Sequence, residues 1–457
     1  MEASLPRFTV PEPTTSSAAG GRHCHIPLRK AAIAAVHAPD VTLPLRFMLF
    51  GMACLLSAGA YLLFHPALLV QYHYSPQIVA LTHWVVLGFI VSVVSGAVYQ
   101  LTPVALETRI HSERLARIHF LCQVVGVPGM VAMFWVWNLK QVGHFGSIFG
   151  LGVGLLAYNL YRTLKQVERR TPVSFGIGSA VTWLTLTMLV GLFLASAKCW
   201  PQINLWPPMS EMHAHAHLGI LGCFITLIVG VSYRLVPMFT LGTLCSERRA
   251  FASLILLNTA VAGLVVTITL GSSWKLLFAG VALVGLGLFG AEMRAILKAR
   301  RRGPLDWGLR SFLAALCLLA PTAAIGLALG SPWLPAGEFS AQLEGAYGIL
   351  ALFGVVTLAI LGMMQKILPF LVWFRTYAPV AGKAPVPGLS DMSCQGLQAA
   401  GLLAYIAGIL ATATAAALGR EEWAAPAWGI TSIGVACFVG NALWVLRHWT
   451  RALPQAR

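Results

Sequence analysis

The chain has 457 residues, 58% of them hydrophobic and only 10% charged, and its mean hydropathy is +0.76. A composition this apolar excludes an ordinary soluble domain and points to a polytopic membrane protein. The formal charge of +16 does not call for nucleic acid, because the placement of the basic residues, set out below, has a membrane explanation.

Residues 1–42 are rich in Pro, Ser, Thr and Ala and lack the apolar segment and cleavage site of a signal peptide. They read as a disordered cytoplasmic tail. The tail carries His23-Cys24-His25, a weak candidate for a soft metal. A transmembrane domain follows over 43–450, and 451–457 form a cytoplasmic C-terminus. Crossing hydrocarbon takes roughly 20 apolar residues per helix, and about twelve runs reach that length. The fold class is therefore all-α, a membrane bundle of about twelve transmembrane helices.

Helix 1 is predicted at about Phe47 to Phe64, followed by a loop with His65 and His73. Helix 2, about Ile78 to Val104, contains His83. Helix 3 lies near Ile118 to Val136, helix 4 near Phe145 to Tyr161 with His144 at its start, and helix 5 near Ile177 to Ala197. A loop rich in Trp and Pro then leads to helix 6, for which Ser210 is a candidate N-cap. Helix 6 opens with His213-Ala-His215-Ala-His217. Helices 7 (near Leu254), 8 (near Leu276 to Ile296) and 9 (near Phe312 to Leu329) carry no histidine. Helix 10 runs from about Leu343 to Val372, and helices 11 and 12 close the domain.

All but four of the 31 lysines and arginines fall on the termini and on the loops that follow even-numbered helices. The exceptions are Lys140, Lys198, Lys275 and Arg420. This asymmetry is the positive-inside pattern and predicts that both termini are cytoplasmic, in a bacterial-type inner membrane. The nine cysteines are scattered without a Cys-x-x-Cys pair and read as small core residues.

An internal repeat organises the helices. From His83 and from His217, Gly follows at +5 (Gly88, Gly222) and +13 (Gly96, Gly230), Tyr at +16 (Tyr99, Tyr233) and Pro at +20 (Pro103, Pro237). Ser-Glu-Arg recurs at Ser112 and at Ser246. Helix 10 keeps Gly354, Gly362 and Pro369 at the same spacing from Ile349, with Gln365 in place of the tyrosine. Gly345 and Tyr347 stand there where helix 6 has His213 and His215. Such self-similarity implies three pseudo-symmetric four-helix units, about 43–170, 171–305 and 306–450.

Ionisable groups inside a membrane domain are costly and mark function by default. His83 and His217 occupy equivalent positions at similar depth, so two imidazoles from two helices of one bundle can serve one site. His213 and His217 share a helical face, and His215 points the opposite way. His213 and His217 could chelate a metal at i, i+4. His65, His73 and His144 are lesser candidates to complete a metal site with His213. His111 and His119, at the other end, read as solvated or in contact with headgroups. Tyr99 and Tyr233 read as packing or as a repeated hydrogen bond. Glu211, Glu338 and Glu344 are acids on the histidine side of the membrane.

Three four-helix units, together with Thr82-His83 through Gly96-Ala-Val-Tyr99 to Pro103 and the His215-Ala-His217 segment, resemble the catalytic subunit of the heme-copper oxidase and nitric oxide reductase superfamily. The resemblance implies a b-type heme held by His83 and His217, with His215 on a second heme and His213 and His215 as metal ligands, copper included. It makes Arg420 a partner for heme propionates and a quinol or cytochrome c an electron donor. It also implies heme-dependent chemistry on O2 or NO. The His-x-His helix is tenth in that family and sixth here, and helix 7, which supplies a histidine pair to the family's second metal, has none here. The implied protein therefore lacks a complete binuclear centre. The alternative expectation is a membrane protein that binds or transfers heme or copper without catalysis.

Overall fold

The computed structural model describes residues 39–450 apart from Lys383, and these form an all-helical bundle. The expected tail up to residue 38, with its His23-Cys24-His25, and the segment 451–457 lie outside the described residues. Among the described residues twelve long helices follow in order. They are α1 (Thr42–Phe64), α2 (Pro76–Leu106), α3 (Glu113–Trp135), α4 (Leu139–Leu164), α5 (Pro172–Cys199), α6 (Pro208–Thr240), α7 (Glu247–Thr269), α8 (Lys275–Lys298), α9 (Trp307–Gly330), α10 (Glu338–Thr376), α11 (Gln395–Ala417) and α12 (Glu421–Thr450). Eleven are long and apolar enough to cross a membrane. The other, α4, is as long but more polar, and it packs between α3 and α5.

Local sequence sets the helix starts. Ser75, Ser112 and Ser246 cap α2, α3 and α7 through their hydroxyl oxygens, and Thr171 with Ser174 closes a capping box on α5. Each such cap contributes about 1 kcal/mol. Ser210 does not cap α6 as expected. That helix starts one turn earlier at Pro208, whose missing N–H is an unbonded position of any first turn.

The threefold repeat is visible in the backbone. Immediately after each reference position, His83, Ile349 and His217 alike, the helix widens into a π-helical stretch: Trp84–Val91, Leu350–Thr357 and Leu218–Ile225. π-Turns loosen the ladder, and in two units a hydroxyl serves a carbonyl five residues back, Ser92 to Leu87 and Thr226 to Leu221. The glycines at +13 are contact points with the first helix of their unit. A Cβ on Gly96 would stand 2.7 Å from the Pro44 carbonyl, one on Gly230 2.8 Å from Gly176 Cα, and one on Gly362 2.8 Å from the Gly308 carbonyl. The fourth helix of each unit also anchors the third. Asn159, Glu292 and Asn441 accept from the backbone N–H of Ser112, Ser246 and Cys394 at 2.9, 3.0 and 2.9 Å.

The units close a ring through α4 against α5, α8 against α9, and α12 against α1. Inside the ring the three second helices α2, α6 and α10 meet, and α6 and α10 are the most buried of the eleven apolar spans among the described residues. Whatever projects from the N-terminal halves of these three helices therefore shares one interior space.

Candidate functional site

A cavity of about 710 Å³ occupies that space and is lined by His73, His83, His213, His215, His217 and Glu344. Its size falls in the roughly 300–1,000 Å³ range of cofactor and ligand pockets. All four principal histidines expected from the sequence are thus brought together.

His83 lies two turns into α2, and its Nδ1 is 2.7 Å from the Val79 carbonyl of the preceding turn. A carbonyl only accepts, so the proton sits on Nδ1 and Nε2 keeps its lone pair. His217 repeats the arrangement with the His213 carbonyl at 2.8 Å. Both imidazoles are therefore held in the tautomer and orientation that a metal-ligating histidine needs.

The rings meet in an order that equivalence of positions does not suggest. His83 faces His215, with ring centroids 6.5 Å apart and planes 16° from parallel. His217 faces Tyr347 of α10, at 6.2 Å and 25°, and the phenol oxygen lies 3.5 Å from Nε2. In each case the reference position of one unit opposes the residue two before the reference position of the next unit. The sequence pairs His83 with His217, identical positions of their units, whereas the histidine ring beside His83 is that of His215 and the ring beside His217 is that of Tyr347. The third such pair would be Ile349 and Leu81, both lining the cavity and both apolar.

Neighbouring residues fix these rings. Phe134 of α3 lies 4.5 Å from His83, centroid to centroid. Gly191 of α5 leaves His215 room, since a Cβ there would stand 3.0 Å from His215 Cε1.

A second group lies on the His213 face of α6. His73, from the loop before α2, stacks on His213 at 5.7 Å, and its Nδ1 is 3.5 Å from a Glu344 carboxylate oxygen. Burial holds the His73 imidazole below its ordinary pKa, which keeps it neutral at physiological pH. Glu211 also lines the cavity and is buried, but Glu338 is an exposed partner of Gln342.

Other expected residues lie elsewhere. Arg420 is exposed and pairs with Glu422 at 3.6 Å, away from the cavity wall. The cations that do line the cavity are Lys198, which stands 4.9 Å over the Tyr74 ring, and Lys275. Their signal in the sequence is their place among the four exceptions to the charge asymmetry. His65 stacks on Tyr61, and His144 bonds Gln141 on the exposed surface. His111 is half-buried beside Tyr158, whereas His119 is fully buried and bonds Tyr99 at 3.1 Å. The reading of His119 as solvated is thereby corrected, because it faces the bundle rather than the headgroups. Tyr233 makes the equivalent bond to Ser253, also twenty residues on, which accounts for the repeated tyrosines.

The chain matches no protein-family model and no curated protein.

Proposed function

We propose that this polytopic membrane protein is a heme-binding redox protein of the heme-copper oxidase-like class, with a b-type heme held between α2 and α6 on His83 and His215. The observation that carries the reading is the near-parallel facing of these two imidazoles, 6.5 Å apart across the cavity. His83 and His215 are the residues that would hold the group, since their rings come this close across the cavity. The donor set also fits, because the Val79 carbonyl keeps His83 Nε2 free for ligation. A bound heme would supply one-electron chemistry, with its potential set by the axial ligands and burial.

The protein's own part is to orient and enclose. Phe134 and the widened turns after His83 and His217 shape the wall, and Lys198 and Lys275 offer cations for propionates, the role first expected of Arg420. The His217 and Tyr347 pair is the place for a small reactant such as O2 or NO or for a second cofactor, because its partner is a phenol and not a second imidazole. Electrons would come from a quinol or cytochrome c at the membrane surface, and the basic loops would face the cytoplasm. The absence of histidine from α7 favours a second reading, a carrier or sensor of heme, copper or NO without turnover.

Visible spectra of the purified chain, oxidised, reduced and reduced with CO, test both. Paired low-spin heme bands support the first claim, and no heme absorbance overturns it. A CO-induced change supports an open reactive position, and its absence favours the carrier reading.

A further inference from the structure

We propose that His73, His213 and Glu344 form a binding site for a divalent transition-metal ion, separate from the His83 and His215 pair. The three residues come from three different segments: the loop before α2, the first turns of α6, and the N-terminal half of α10. One ligand atom from each lies within 4.8 Å of the other two. Ligands each about 2.1 Å from one tetrahedral metal stand roughly 3.4 Å apart, so modest side-chain rotation closes the set. His73 Nδ1 and Glu344 are already at 3.5 Å.

The polar atoms support the assignment independently. Both ring nitrogens of His73 are shut off from solvent and make no hydrogen bond. Burying such groups without partners is unfavourable, and native interiors rarely do it. A metal would satisfy His73 and Glu344 together. Two imidazoles and one carboxylate suit zinc, iron(II) or copper(II), and by the usual stability order copper(II) binds tightest. Three protein ligands leave coordination positions open, and these face the cavity, because all three residues line it.

The site makes no use of His83 or His215, so it stands or falls apart from the heme proposal. The test uses the full-length chain in detergent, stripped of metal by chelator and titrated with Co²⁺ or Cu²⁺ alone, with heme scored separately by absorbance. The expected result is one tight equivalent per chain with Co²⁺ d–d bands of a four- or five-coordinate site. Affinity should fall at least tenfold in His73→Ala and in Glu344→Gln, the second of which preserves shape. The His23→Ala, Cys24→Ala, His25→Ala variant should retain the tight equivalent. Size-exclusion profiles matching the parent establish that the variants are folded. The proposal is overturned if the parent binds no stoichiometric metal, if folded His73→Ala and Glu344→Gln bind as the parent does, or if the tail variant loses the site.

Discussion

The pair His83 and His215 and the pair His217 and Tyr347 occupy equivalent places in successive units, with nearly the same separation, 6.5 and 6.2 Å, and nearly parallel rings. The backbone around them is the same, with a widened turn beginning one residue after each reference histidine. The facing side chain differs, an imidazole in one and a phenol in the other. Repetition thus builds the scaffold, and the facing residue decides whether an imidazole meets a second imidazole or a phenol.

The largest expected effect removes a donor from the first pair. His83→Ala or His215→Ala should lower bound heme per chain by about tenfold or more, since even outer-shell changes alter metal affinity 10- to 100-fold. Heme quantified by pyridine hemochrome in folded variants checks this, and unchanged heme would break the comparison. Next, Tyr347→His gives the second site the donor pair of the first. Low-spin heme should rise from about one toward two equivalents per chain, because the second site then offers the same two axial imidazoles.

A scaffold change acts on both sites at once. Gly230→Val would force a side chain onto Gly176, costing about 1–3 kcal/mol by overpacking. Gly345→Ala, with nothing within 4 Å of its added methyl, should shift thermal stability in detergent hardly at all. A similarly small effect belongs to Arg420→Ala. Its exposed pair with Glu422 should contribute under about 1 kcal/mol, and heme content should not change.

The scaffold was legible in the sequence because close helix packing restricts residue type. Gly96, Gly230 and Gly362 recur where backbones nearly touch, and no larger residue fits there. The histidines were legible for the converse reason, as costly groups in apolar surroundings. Their pairing was not, since the repeat aligns His217 with His83 while the ring of helices sets His215 against it. Glu344 and His73 lie 131 and 140 residues from His213 in sequence, and no local spacing rule joins a loop to α6 and α10. Arg420 looked suitable from topology alone, but the start of α12 places it outside the cavity.

Electron paramagnetic resonance of the oxidised, purified chain tests the central assignment most directly. The bis-imidazole low-spin ferric signal should persist in His217→Ala and vanish in His215→Ala. Loss in His217→Ala with persistence in His215→Ala would contradict the account and restore the pairing of identical positions.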